Sequence, residues 1–192
     1  MNLTRRLISF VLLSAIASAC GDTGGPTNTS DGTEYHPHFR SGGITGLSQN
    51  GCGDCHNSPN DPAPTVTLAG PTTVAPGATE TYTLTITPAD DGTSDAVGGG
   101  LNVSASGGTL IAGTGTSVEG DGELTHTGPK LVPLLDPVSW DYQWTAPGTA
   151  GTETMYGAGL SINDGNGSSN DEWNVTTLEI VVQAAENTPP TA

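Results

Sequence analysis

Residues 79–87 read Thr-Glu-Thr-Tyr-Thr-Leu-Thr-Ile-Thr, and after the first positions they alternate strictly between polar and apolar side chains. Successive side chains of an extended strand point to opposite faces, so Tyr82, Leu84 and Ile86 share one face. An apolar face of this kind has to be covered by a second layer of secondary structure. The stretch therefore predicts a half-buried strand in a layered β protein.

Similar runs follow through the second half of the chain, separated by turns rich in Gly, Pro, Asn and Asp. The runs lie at residues 65–68, 79–87, 101–105, 109–112, 123–127, 140–144, 156–162 and 177–183. Nothing between them has helical periodicity. Seven or eight short strands at this spacing predict an all-β fold, an antiparallel sandwich of immunoglobulin or fibronectin-III type spanning residues 62–184. Trp140, Tyr142 and Trp144 share one face of their run, which favours core packing over a sugar-binding platform.

The first 20 residues have the form of a secretory signal peptide. Two arginines precede the apolar run Leu7–Leu13, which is too short to span a bilayer permanently, and small residues then lead to Cys20. A cysteine in this place resembles the bacterial lipobox, although position 17 is Ala where Leu is usual. We expect residues 1–20 to be a lipoprotein signal and Cys20 to be lipidated; the alternative is an ordinary signal peptide with an incidental cysteine.

The segment after the leader is polar and rich in Gly, Thr and Ser, and it has too few apolar residues to build a core. Residues 21–61 are therefore expected to be a flexible tether that carries the Cys-x-x-Cys-His motif. Gly21, not Asp, follows the lipobox cysteine, so the usual signal for retention at the inner membrane is absent. We expect an outer-membrane anchor, and a disordered tail at residues 185–192.

Charge limits the classes of partner. The chain has 4 Lys and Arg residues against 20 Asp and Glu residues, a formal net charge of −16. Removing the two arginines of the leader leaves Arg40 and Lys130 and a formal charge of −18. This composition excludes a basic surface that follows phosphates and argues against nucleic-acid binding. Such acidity provides solubility, and it also suits bound divalent cations.

Residues 52–56 read Cys-Gly-Asp-Cys-His and hold the two cysteines that lie beyond the leader. A disulfide is one interpretation outside the cytoplasm, although a two-residue disulfide loop is strained and no βαβ unit surrounds it. Zinc needs four ligands, and no second pair of suitable spacing follows. The pattern is the attachment signature of c-type haem, in which two thiols form thioethers and the next imidazole ligates iron. Haem at Cys52, Cys55 and His56 is favoured; a disulfide, free thiols or another metal are the alternatives.

Residues 21–61 are too few and too rich in glycine and proline to fold around a haem as a small helical cytochrome does. A haem at this motif would lie on a loop. It would therefore have to pack against the β domain that begins a few residues later.

Clustered oxygen atoms occur at residues 163–172, Asn-Asp-Gly-Asn-Gly-Ser-Ser-Asn-Asp-Glu. The order does not fit an EF-hand, because the glycine and the terminal Glu are misplaced. A turn is the simplest interpretation. Calcium at Asp164, Asn166 and Asp171 is the functional alternative. A weaker acidic cluster consists of Glu119, Asp121 and Glu123.

The chain resembles the bacterial choice-of-anchor V domain family over about residues 40–183. The matching segments are Thr45-Gly46, Cys52–His56, Ala63–Pro71, Gly100–Ser106, Glu123–Thr127, Trp144–Pro147 and Tyr156–Leu160. The resemblance implies a Cys-x-x-Cys-His segment followed by a Reelin-like β-sandwich and a variable surface anchor, which the lipoprotein leader would supply. It implies no established activity.

His126 is the second residue that the resemblance singles out, because Leu-Thr-His-Thr accompanies the Cys-x-x-Cys-His motif in the family pattern. A lone histidine on a strand is usually a surface residue or a hydrogen-bonded core residue. The functional interpretation is a second haem ligand opposite His56, giving bis-His coordination. His36, His38 and Met155 are weaker candidates for the same position.

No nucleophile elbow, phosphate-binding loop, paired-carboxylate motif or zincin helix occurs, so no enzyme activity is predicted. The first hypothesis is an envelope-anchored protein with one c-type haem that transfers electrons to a redox partner or senses redox state. The second is a non-enzymatic surface lipoprotein whose sandwich binds a protein, a glycan or calcium, with the cysteine pair a structural disulfide. A third is a non-catalytic subunit of a larger oxidoreductase.

Overall fold

The computed structural model describes residues 63–90, 92, 94–120, 122–163 and 171–183. These residues form eleven β-strands and no helix: β1 Thr65–Ala69, β2 Thr73–Val74, β3 Thr79–Thr87, β4 Gly98–Ala105, β5 Thr109–Ile111, β6 Thr116–Val118, β7 Leu124–His126, β8 Lys130–Leu131, β9 Val138–Thr145, β10 Gly151–Ile162 and β11 Glu172–Val182. In the part described, no helix is long and apolar enough to cross a bilayer.

The strands form two sheets. A four-stranded sheet has the order β1-β3-β9-β5, and a seven-stranded sheet has the order β2-β11-β10-β4-β7-β6, with β8 paired to β4. All pairs are antiparallel except the short parallel pair between β2 and β11. The predicted all-β sandwich is confirmed.

The core lies between the sheets and contains the residues that the alternation placed inside. Tyr82, Leu84 and Ile86 are fully buried, and Trp140, Tyr142 and Trp144 of the neighbouring strand are at most 3% exposed. The two strands pair so that Tyr82 is opposite Tyr142 and Leu84 is opposite Trp140. Core packing of the aromatic residues of β9 is therefore confirmed.

Two glycines of β10 show which of its residues face the four-stranded sheet. A Cβ added at Gly157 would lie 2.9 Å from Leu84, and one added at Gly159 would lie 2.7 Å from Ile86. These positions therefore face the four-stranded sheet at close approach. Ala158, Leu160 and Ile162 alternate with them and point to the opposite, outward face of the seven-stranded sheet.

The structure has more strands than the sequence predicts. Three strands of two or three residues, β2, β6 and β8, were not predicted, because runs this short carry too little periodicity. β4 begins at Gly98, three residues before the predicted start, since glycine has low strand propensity and signals a turn. Tertiary pairing with Ile162 and Leu131 overrides that propensity.

Candidate functional site

His126 ends β7 and is only 4% exposed. The neighbouring strand β4 pairs with β7 at Asn102 and Val103 and with β8 at Gly98 and Gly99. The interval between those two ladders is filled by the histidine side chain, whose Nδ1 lies 3.0 Å from the amide nitrogen of Leu101. His126 is therefore a buried, hydrogen-bonded residue that completes the edge of β4.

Nδ1 of His126 is also 3.0 Å from the carbonyl oxygen of Leu101. One nitrogen of a neutral imidazole cannot accept from the amide and donate to the carbonyl at once. If Nε2 carries the proton, Nδ1 accepts from the Leu101 amide. If Nδ1 carries the proton, it donates to the Leu101 carbonyl and the lone pair lies on Nε2, as in most metal-ligating histidines. Both tautomers fit the observed distances.

The Cε1–Nε2 edge of the imidazole occupies the space in which a side chain at Gly100 would stand. A Cβ added at Gly100 would lie 2.4 Å from Cε1 and 2.7 Å from Nε2. The Cβ position of the preceding Gly99 faces Val138 in the core, so Gly100 faces outward. The edge that includes Nε2 thus contacts the outward side of Gly100, while the centre of the ring lies 6.4 Å from the centre of the core ring of Trp140. The imidazole therefore lies at the strand edge, between the outward face and the core.

Two apolar side chains continue from this point across the sheet. Leu160 is the register partner of Gly100, and Trp173 is the register partner of Leu160. Directly opposed residues of a ladder point to the same face. Trp173, Leu160 and Gly100 therefore form one line on the outward face, and the His126 ring contacts the Gly100 end of that line. We call these four residues the histidine row.

A polar residue without partners lies beside the histidine row. Asn102 is fully buried, and neither its side-chain oxygen nor its nitrogen has a hydrogen-bond partner. It is opposite Ala158 and so shares the outward face. A buried amide in this state costs about 1–3 kcal/mol relative to a satisfied one, so it marks a place where another group is expected to bind.

The histidine row has the features that a haem requires from a protein surface. It offers an imidazole and apolar side chains at Leu160 and Trp173. Asn102 adds a buried donor and acceptor. The residues present therefore fit the group that the Cys-x-x-Cys-His motif implies.

Met155 does not face this site. It is fully buried in the core, and its sulfur accepts a hydrogen bond of 3.1 Å from the Tyr142 hydroxyl. Burial raises the pKa of Tyr142 far above its usual value of 10.0. Met155 is thus a packing residue of the sandwich interior.

A separate pocket of about 560 Å³ lies where the first half of β9 has no strand partner on one side. Its wall consists of Thr114, Gly115, Thr127, Gly128, Pro129, Lys130, Ser139, Trp140 and Asp141. Lys130 is the one Lys or Arg among the described residues. Its ammonium group donates to the Ser139 carbonyl and lies 5.6 Å from the centre of the Trp140 ring. The pocket combines hydroxyl groups, one cation and an aromatic ring.

Of the three residues predicted to bind calcium, the structure describes Asp171, which is 2% exposed. Its Oδ1 lies 3.4 Å from the amide nitrogen of Asn163, across the start of the loop. Asp164 and Asn166 lie outside the described residues. In the described part of the chain, no group of three or more His, Cys, Asp and Glu side chains could hold a metal ion.

Cys20, Cys52, Cys55 and His56 also lie outside the described residues, as do His36 and His38. The pairing of His56 with His126 therefore stays a prediction. The sequence predicted no role at this site for Gly100, Asn102, Leu160 or Trp173, although the first three lie in the segments Gly100–Ser106 and Tyr156–Leu160 that carry the resemblance. The available signal was the run of small and apolar residues from Gly157 to Leu160, because strands without a polar face are typical of sheets covered on both sides.

No protein-family model matches the chain, and no curated protein matches it. A cohesin module from a Clostridium perfringens family 33 glycoside hydrolase is 12% identical, with 62% of this chain and 96% of that chain covered and a TM-score of 0.41. A CARDB domain from Pyrococcus furiosus, in complex with di-metal ions, is 13% identical, with 63% and 90% covered and a TM-score of 0.37. AvmM, which catalyses macrocyclisation in alchivemycin A biosynthesis, is 10% identical, with 67% and 93% covered and a TM-score of 0.41. These likenesses concern the fold alone.

Proposed function

We propose that this protein is an envelope-anchored lipoprotein that carries a single c-type haem and acts in electron transfer or redox sensing. The observation that carries the proposal is the combination of a Cys-x-x-Cys-His motif with a domain in which the buried His126 contacts Gly100 beside an outward apolar cluster. The lipobox at Cys20 would hold the protein at the outer membrane. The resemblance to the choice-of-anchor V family supports this arrangement of anchor, motif and sandwich.

Each residue has one task in the proposed site. Cys52 and Cys55 would hold the haem through thioethers, and His56 would provide one ligating nitrogen. His126 would provide a second nitrogen if its Nδ1 donates to the Leu101 carbonyl, because the lone pair then lies on Nε2. The haem would supply one-electron exchange. The apolar residues Leu160 and Trp173 would exclude water from it, which is one means by which a protein adjusts reduction potential.

The experiment is haem staining of the full chain, produced in cells with and without the cytochrome c maturation machinery. Covalent haem survives denaturing electrophoresis, so we expect a stained band only when the machinery is present. The matched control is the double variant Cys52→Ser/Cys55→Ser, which should lose the stain and keep the fold, since the strands and the core of the sandwich are formed by residues 65–182. An unstained wild type, made beside a stained reference cytochrome, would contradict haem attachment.

The second candidate function is ligand binding by a haem-free surface lipoprotein, with the cysteine pair as a disulfide. The pocket at Lys130 favours it, because its hydroxyl groups and one cation suit an acidic sugar. Binding of uronic-acid oligosaccharides, measured by calorimetry for wild type and Lys130→Ala, tests this function. Equal heats of binding for the two proteins, or no heat of binding for either, would contradict this function.

A further inference from the structure

The outward face of the seven-stranded sheet is buried although no described strand covers it. Ala158, Leu160, Ile162 and Trp173 form an apolar cluster separate from the core, and each is at most 8% exposed. All eleven described strands belong to the two sheets, and the four-stranded sheet lies against the other face. Something other than these strands therefore covers the face. Sandwich domains normally leave such a face to solvent.

We infer that the cover is a segment of this chain: residues 40–62, which carry the Cys-x-x-Cys-His motif, dock on the outward face along the histidine row. The docking does not require haem. It goes beyond the proposed function by naming an intramolecular interface for the segment.

The first argument is the place where the segment joins the domain. The carbonyl of Pro64 accepts a hydrogen bond of 3.0 Å from the side chain of Asn174, the residue after Trp173. Asn174 is opposite Gly159 and so faces the core side, whereas Trp173 faces outward. The chain therefore enters β1 at the β11 end of the histidine row but on the core side of the sheet, and the preceding segment has to pass around the edge of β11 to reach the outward face. From Pro64 back to Cys55 are nine residues, which span at most about 30 Å. The row crosses three strand spacings, about 14 Å, so the motif reaches every part of it.

The second argument is the chemistry of the face. Asn102 is fully buried with both amide atoms unpartnered, and it lies beside Ala158. An extended or looped backbone over the face supplies the donors and acceptors that this amide needs. Residues 40–62 also contain Ile44 and Leu47, which suit the apolar part of the face.

The other segments of the chain fit less well. Residues 164–170 read Asp-Gly-Asn-Gly-Ser-Ser-Asn and contain no apolar side chain to cover Leu160. Residues 184–192 follow Gln183, just beyond the end of β11, where Val182 pairs with Gly151. That end lies about 30 Å along the strand from Trp173. The apolar side chains of residues 184–192 are limited to alanine and proline. Neither segment combines proximity with apolar content.

Photo-cross-linking of the full chain tests the docking. Val175 is opposite Ala158, shares the outward face and is 45% exposed, so p-benzoylphenylalanine at this position samples the rim of the face without disturbing its interior. The matched control is the same replacement at Val118, another exposed valine of the same sheet at 39% exposure, on the far edge strand. Both proteins are irradiated with and without haem, and equal amounts of light and heavy isotopic chains are mixed beforehand.

We expect position 175 to cross-link to peptides of residues 40–62 of the same chain, so that both linked peptides carry the same isotopic label. This result is expected in haem-free and haem-loaded protein alike. Position 118 should give no such cross-link. Cross-links between light and heavy chains would overturn the inference in favour of a second copy on this face. Cross-links to residues 164–170 or 184–192, equal products from both positions, or no product would also overturn it. The haem stain is a separate measurement. A protein that gives the expected cross-link but no haem stain would contradict the haem proposal and support the docking.

Discussion

The imidazole of His126 lies directly on the backbone of Gly100, 2.4 Å from where a Cβ would be. The glycine thus leaves room for the ring at the edge of β4, while the Leu101 amide lies 3.0 Å from Nδ1. This relationship gives His126 two separable roles. Nδ1 completes the edge of a strand, and Nε2 is the atom that would reach a metal.

Two substitutions at His126 separate those roles. The oxygen of Asn reproduces an acceptor near the position of Nδ1 but nothing replaces Nε2, whereas Ala removes both. In haem-loaded protein we expect His126→Asn and His126→Ala alike to convert a low-spin bis-His spectrum to high spin, measured by electron paramagnetic resonance. In haem-free protein, where Nδ1 can accept from the Leu101 amide, only His126→Ala should lose about 1–3 kcal/mol of unfolding free energy, because it leaves that buried amide unpaired. An unchanged low-spin spectrum would assign the ligand to His36 or His38.

Gly100→Ala tests the contact itself. The added methyl must displace the imidazole or the strand, so we expect a loss of about 1–3 kcal/mol in urea unfolding. Gly128→Ala is the matched control, since a Cβ at Gly128 meets no atom within 4 Å. That change should stay within about 0.5 kcal/mol of wild type. Equal stabilities for the two variants would show that the ring is not packed on Gly100 in solution.

Cys20→Ser tests the anchor. If Cys20 is lipidated, the wild type partitions with the membrane fraction and its intact mass includes a diacylglyceryl group. The variant lacks the nucleophilic thiol and should appear in soluble fractions without the added mass. A variant that is as membrane-bound as the wild type would refute lipid anchoring.

Calcium binding at Asp164, Asn166 and Asp171 predicts a thermal midpoint that falls when calcium is removed. A ligand that binds only the folded state raises apparent stability by mass action. Melting curves with added calcium and with excess EDTA are the measurement, and Asp171→Asn should abolish any difference between them. Wild-type melting curves that superimpose with added calcium and with EDTA would contradict calcium binding at this site.

Alkaline unfolding is expected from two buried tyrosines. Burial, and to a smaller extent Glu80, raise the pKa of Tyr82 from 10.0 to about 12, and burial raises the pKa of Tyr142. As pH rises above 10, the unfolded phenols lose protons that the folded ones retain, so the unfolded state binds fewer protons and stability falls. Urea midpoints should therefore drop between about pH 10 and pH 12. Tyr142→Phe should flatten that drop, and an unaltered slope would contradict the assignment.

The sequence by itself determined the two-layer β architecture and the content of its core. Strict alternation at residues 79–87 sends Tyr82, Leu84 and Ile86 inward whatever the rest of the chain does, because side-chain direction in a strand has a period of two. The same rule identified the aromatic face of β9. The leader and the Cys-x-x-Cys-His motif are likewise local patterns, and the sequence alone suffices to propose them.

Tertiary structure alone decided what His126 touches and which side of β10 is the outside. Gly100 reads as a turn residue in sequence, yet it lies in a strand because Leu160 pairs with it from 60 positions away. Leu160 and Trp173 read as core residues, yet they face away from the core because glycines occupy the inward positions. Local periodicity shows that a strand has two faces; only the pairing register and the approach of the second sheet decide which face lies against the core.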